Sequence, residues 1–102
     1  MMSASSCPNL DSLLSRIESR PELFIGNRDI IALSHFLGGY IFAVREEYPD
    51  FDDWINTDFR LWLSSKYSDT RTLNWCGLIR SHEPDGDTTD AFFRLIHEFR
   101  TK

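Results

Sequence analysis

Leucine occurs eleven times in this chain and valine once, and the apolar residues return every third or fourth position instead of every second. A half-buried strand needs strict alternation, because its side chains divide between two faces, whereas spacings of three and four line one side of a helix. No segment sustains the alternating pattern. The chain is therefore expected to be all-α: a compact single-domain bundle of five to six short helices around one long central helix.

Breakers and caps place the elements. Asn9 suits the cap of a first helix reaching about Arg20, with Leu10, Leu13, Leu14 and Ile17 on one face. Pro21 ends it, since the residue before a proline is pushed out of the α region. The connector Glu22–Gly26 is expected to tuck Leu23, Phe24 and Ile25 into the core. Asn27 suits the cap of a long helix from Arg28 to about Glu47. Its Ile30, Leu33, Leu37, Tyr40, Ile41 and Val44, with Phe36 and Phe42 beside them, cover most of the circumference, so it should run through the middle of the domain. Gly38 and Gly39 interrupt that helix at about 1 kcal/mol each against Ala, and close approach of a neighbouring helix or Trp ring is the expected reason.

Pro49 stops the long helix, and Asp50 is placed to cap a short turn carrying Phe51, Trp54 and Ile55. Thr57 or Asp58 then opens a third helix bearing Phe59, Trp62 and Leu63. After a polar turn at Ser68–Thr70, a fourth helix carries Trp75, Leu78 and Ile79 to about Ser81. The Pro and Gly between Glu83 and Thr89 mark a loop, and a last helix with Phe92, Leu95, Ile96 and Phe99 opens near Asp87–Thr89. Residues 1–8 read as a flexible N-terminus and 9–102 as the domain.

A chain of 102 residues, 41% apolar, has room for one core and buries roughly two-thirds of its unfolded surface, so neither a disulfide nor a metal is needed. The first residues carry no base and no apolar run, unlike a secretory signal, and Cys7 and Cys76 are too few for a disulfide framework. A reducing cytoplasm is the expected compartment. The longest uncharged stretch, Ile30–Val44, is fifteen residues, too short and interrupted to cross a membrane.

Charge is distributed unevenly. The chain carries a net −5, a poor balance for gripping DNA or RNA directly, because phosphate affinity comes from clustered Lys and Arg. Residues 46–58 hold Glu46, Glu47, Asp50, Asp52, Asp53 and Asp58 with no base, and residues 83–90 hold Glu83, Asp85, Asp87 and Asp90, also with none. The remainder, with eleven bases against six acids, is net +5. Helix capping and solubility account for part of this pattern. They do not account for thirteen residues without a compensating base, since a surface tuned for solubility intersperses the signs. An acidic rim interleaved with Phe51 and Trp54 fits docking on a basic partner, the aromatics serving as anchors.

Signals for other chemistry are weak. His35, His82 and His97 stand apart from each other and from any close Cys ligand, so no zinc site is expected. His35, in the apolar helix, reads as a core residue, and Cys76, between Trp75 and Gly77, reads as buried packing. A Cys76–His82 or Cys76–His97 nucleophile pair is the enzymatic alternative. No cofactor is implied.

The order Arg20-Pro-x-x-x-x-Gly26, Phe36-Leu-Gly-Gly-Tyr40, Phe59-x-x-Trp62-Leu, Trp75 and Ala91-Phe-Phe-x-Leu-Ile-x-Glu-Phe99 resembles a family of small bacterial helical proteins. That family includes immunity proteins of contact-dependent growth inhibition and related polymorphic toxin systems. The likeness spans residues 20–100 and departs from the commonest pattern at Glu22 and Leu23, where Gly-Met is usual. It implies a non-catalytic cytoplasmic protein that neutralises a cognate toxin domain, often a nuclease. Combined with the acidic segments, it makes Glu46, Glu47, Asp50, Asp52, Asp53, Trp54, Asp58, Glu83, Asp85, Asp87 and Asp90 the expected toxin-binding residues. An acidic helical adaptor for another basic protein is the second reading, and a small Cys/His hydrolase the third.

Overall fold

The computed structural model describes residues 9–26, 29–83 and 88–101, and every regular element among them is helical. Helix α1 (Leu10–Ser19) begins where the Asn9 side chain accepts the Ser12 N–H at 2.8 Å. Leu10, Leu13, Leu14 and Ile17 form its buried side, as their spacing requires. Pro21 not only ends α1 but starts α2 (Pro21–Ile25) at a first-turn position, where its missing N–H costs nothing. The connector is thus a helical turn. Phe24 packs edge-on to Phe36 at 6.0 Å, whereas Leu23, expected in the core, is 71% exposed.

Helix α3 (Ile30–Glu47) is capped by Asp29, whose side chain accepts the Ile31 N–H at 2.9 Å; Asn27 lies outside the described residues. Ile30, Leu33, Leu37 and Ile41 are buried, and the helix packs against α2 and against two later helices, α5 (Trp75–His82) and α6 (Thr88–Arg100). Those neighbours cover one side of the cylinder only. Ile31, His35, Gly38, Gly39 and Phe42 face solvent, Phe42 at 71% exposure. No atom lies within 4 Å of the point where a Cβ on Gly38 or Gly39 would stand, so the close approach expected at these glycines is not made within the chain. His35 is likewise a surface residue, not a core one.

After α3, a turn closes through the Phe51 N–H and the Tyr48 carbonyl at 2.9 Å. A π-helical turn, Ile55–Phe59, then runs without a break into α4 (Arg60–Tyr67), its Phe59 N–H reaching the Trp54 carbonyl at 2.9 Å. Neither Thr57 nor Asp58 caps a helix here; the Thr57 hydroxyl donates back to the Asp53 carbonyl at 3.0 Å. Asn74 caps α5 by accepting the Gly77 N–H at 2.8 Å.

The core is centred on aromatic rings contributed by these last segments. Phe59 and Phe92, both fully buried, meet edge to face at 6.0 Å; Phe99 stands 5.5 Å from Phe59 and Trp75 stands 4.8 Å from Phe92. Such pairs add about 0.5–1.5 kcal/mol each to the area that the rings bury. Among the described residues no helix is long and apolar enough to cross a membrane.

Candidate functional site

The acidic segment that follows α3 is held by the two aromatics interleaved with it. Phe51 and Trp54 turn inward, 5% and 7% exposed, Phe51 against Tyr40 at 6.4 Å and Trp54 stacked on Phe99 at 5.7 Å. The Arg100 guanidinium sits 4.9 Å from the centre of the Trp54 ring. Trp54 and Phe51 are therefore staples of the core and not exposed anchors, which corrects their assignment to the binding surface. The physical reason is simple: a large ring next to a helix end is buried wherever the core offers room.

With the rings pointing in, most of the acids point out. Glu46, Glu47, Asp50, Asp52 and Asp58 are exposed, and none takes part in an ion pair or side-chain hydrogen bond among the described residues. Asp53 differs. Its carboxylate accepts the Asn56 side-chain amide at 2.9 and 3.1 Å and the Asn56 N–H at 3.4 Å, so it holds the π turn in place. Two of the exposed large apolar residues flank the free carboxylates: Phe42, one helical turn before Glu46, and Leu61, 61% exposed and three residues after Asp58.

The second acidic window does not join the first. Trp54 meets the C-terminal end of α6, whereas Asp90 lies in its first turn, nine residues or about 14 Å away along the axis. Asp90 is exposed, and Asp85 and Asp87 lie outside the described residues. Glu83 is half-buried and engaged, accepting the Tyr67 hydroxyl at 2.9 Å and the Arg94 guanidinium at 2.9 Å. It ties α4, α5 and α6 together. Burial and this bond to Glu83 push the Tyr67 hydroxyl well above the ordinary phenol range.

Beside Glu83 stands the acid that sequence reasoning passed over. Asp69 is 7% exposed and accepts the Arg71 N–H at 3.0 Å and the Arg71 guanidinium at 2.6 Å. His82 Nε2 lies 2.8 Å from Asp69 Oδ2, the oxygen that also takes the Arg71 guanidinium, and the His82 ring lies flat on Tyr67 with centroids 4.3 Å apart. The Arg71 guanidinium first, then His82 and the Arg71 amide, hold the Asp69 carboxyl far below the usual carboxylate range. Arg60 completes the arrangement by donating to the Leu73 and Arg71 carbonyls at 2.8 and 3.1 Å, which fixes the connector between α4 and α5. The local signal was an Asp with a base two residues on in a turn-like stretch, an Asx-turn pattern.

The enzymatic pairing is not formed. Cys76 is buried with its Sγ toward the Ile30 carbonyl, and burial pushes its thiol up, away from the reactive thiolate. His82 is engaged by Asp69, and His97 Nε2 stands 3.0 Å from Glu18. Among the described residues no group of three or more His, Cys, Asp or Glu is placed to hold a metal ion. No family model, curated protein or solved structure matches this chain.

Proposed function

We propose that this protein is a non-catalytic immunity protein, acting in the bacterial cytoplasm, that neutralises a cognate basic toxin domain, foremost an RNase. The observation that carries the reading is the rim of five outward carboxylates, Glu46, Glu47, Asp50, Asp52 and Asp58, which lack counter-ions and stand on a segment stapled by Phe51 and Trp54. A nuclease must present a positive groove to bind phosphates, and a fixed row of carboxylates can occupy that groove in their place. Opposite charges also speed the encounter, which matters when a toxin arrives at low concentration. Phe42 and Leu61 supply apolar contact beside the rim, in the role first assigned to Phe51 and Trp54. The sequence resemblance to immunity proteins agrees with this reading and names no particular toxin.

The test is inhibition of a toxin domain encoded beside the gene. The purified protein should abolish RNA cleavage at a one-to-one ratio. The double variant Asp50→Lys, Asp52→Lys should remain folded but associate at least tenfold more slowly at low salt, with the gap closing at 1 M salt, where the Debye length falls to about 3 Å. Full inhibition by the charge-reversed variant at an unchanged rate would remove the electrostatic mechanism, and absence of any complex would remove the immunity reading.

A further inference from the structure

Two grooves of similar size flank α1, and the helix divides its charges unequally between them. Asp11, Leu14, Ser15 and Glu18 face α6 and line a groove of about 270 Å³. The charged groups there satisfy one another: Arg100 donates to Asp11 at 2.8 Å, and His97 Nε2 stands 3.0 Å from Glu18. Asn9, Ser12, Leu13 and Arg16 occupy the other flank and, with Tyr40 of α3, line a cavity of about 280 Å³. Among the described residues no acid lines this second cavity. We infer that it is a binding site for a small phosphate monoester.

Its polar groups are donors that the chain leaves unused. The Arg16 guanidinium forms no ion pair or side-chain hydrogen bond among the described residues; it sits 6.0 Å from the centre of the Phe24 ring, a contact that spends none of its N–H groups. The hydroxyls of Ser12 and of the half-buried Tyr40 likewise have no hydrogen-bond partner among those residues. Asn9 Oδ1 accepts the Ser12 N–H at 2.8 Å, which leaves the Asn9 side-chain NH₂ to donate. A carboxylate offers two oxygens, and one guanidinium fork takes both. A phosphate keeps further oxygens for the hydroxyls and the amide. The cavity is larger than a phosphate group alone requires, so an organic body has room beside Leu13 and the Tyr40 ring. Opposing charge is kept away. The acids of α1 are held by Arg100 and His97, and Glu46 is the first acid along α3 after Tyr40, six residues or about 9 Å on, beyond the Debye length of about 8 Å at physiological salt. This inference does not depend on the immunity reading.

Titration of the nitrogen-labelled full chain, followed by amide NMR at constant pH and physiological ionic strength, tests it with glycerol phosphate, inorganic phosphate and acetate as probes. Glycerol phosphate should shift the amides of Ser12, Leu13, Arg16 and Tyr40 saturably. It should bind at least threefold more tightly than inorganic phosphate and at least tenfold more tightly than acetate. Arg16→Met keeps the alkyl stem near Phe24 but removes the N–H fork, and should weaken binding at least tenfold. Tyr40→Phe should weaken it at least threefold, whereas Arg45→Met, at an exposed base on α3 outside the cavity, should leave it unchanged. Circular dichroism and thermal unfolding show whether each variant keeps the fold. Shifts that grow without saturating overturn the proposal, as does wild-type affinity in Arg16→Met. Equal weakening by Arg45→Met and Arg16→Met overturns it too, since general attraction to positive charge would then explain the binding. Acetate binding as tightly as the ester overturns the phosphate assignment, and inorganic phosphate binding as tightly overturns the monoester.

Discussion

Asp69 and His82, thirteen residues apart in the chain, meet at 2.8 Å and join the connector after α4 to the last turn of α5. The contact is structural in its surroundings: Arg71 grips the same carboxylate and Tyr67 lies flat beneath the imidazole. It accounts for a buried acid in a protein whose other acids mostly face water.

The Asp69 network should show itself in acid. Its carboxyl titrates below the unfolded value of about 3.9, so the stabilisation is complete above that pH and is lost as pH falls through the lower, folded value. Thermal unfolding of the wild type and Asp69→Asn from pH 7 to pH 2 should show a less stable variant at neutral pH and a gap that narrows on acidification. A gap that stays constant to pH 2 would mean that the carboxylate charge plays no part.

Gly39→Ala should stabilise the isolated chain by about 0.5–1 kcal/mol, because the site is open and Ala is the better helix former. Gly39→Leu should also be tolerated, contrary to the overpacking that an internal close approach would cause. Urea unfolding measures both. Destabilisation by more than 1 kcal/mol would show that something in the chain does pack there.

Trp54→Ala should cost about 3–5 kcal/mol, the range for emptying a buried Trp site, since its ring is stacked on Phe99 and covered by Arg100. Denaturant midpoints of wild type and variant decide it. A loss below 1 kcal/mol would return Trp54 to the surface.

The neighbouring acids Asp52 and Asp53 should separate cleanly. Asp52→Lys, at an exposed site without partners, should change stability by less than about 0.5 kcal/mol. Asp53→Lys removes the carboxylate that holds Asn56 and should cost about 1 kcal/mol. Equal thermal stability of the two variants would show that the Asp53 bond to the π turn contributes nothing.

Local chemistry in the sequence determined the helices and much of the core. Asn9 as a cap, Pro49 as a stop and the spacing of Leu10, Leu13, Leu14 and Ile17 all act within one or two turns, so they are legible without knowing any neighbour. The carboxylates of residues 46–58 were legible in the same way, because the window itself holds no Lys or Arg. Only the tertiary structure decided which face of α3 is covered. A helix apolar on nearly every side has no preferred inner face until α2, α5 and α6 choose one, and their choice left Gly38, Gly39 and Phe42 outside. The same holds for Trp54 and Asp69. An aromatic beside acids reads equally as anchor or staple, and a turn aspartate reads as solvated, until Phe99 and His82, 45 and 13 residues further on, are brought against them by the fold. Burial depends on where distant segments dock, and that follows from packing the whole core at once rather than from the pattern of any one segment.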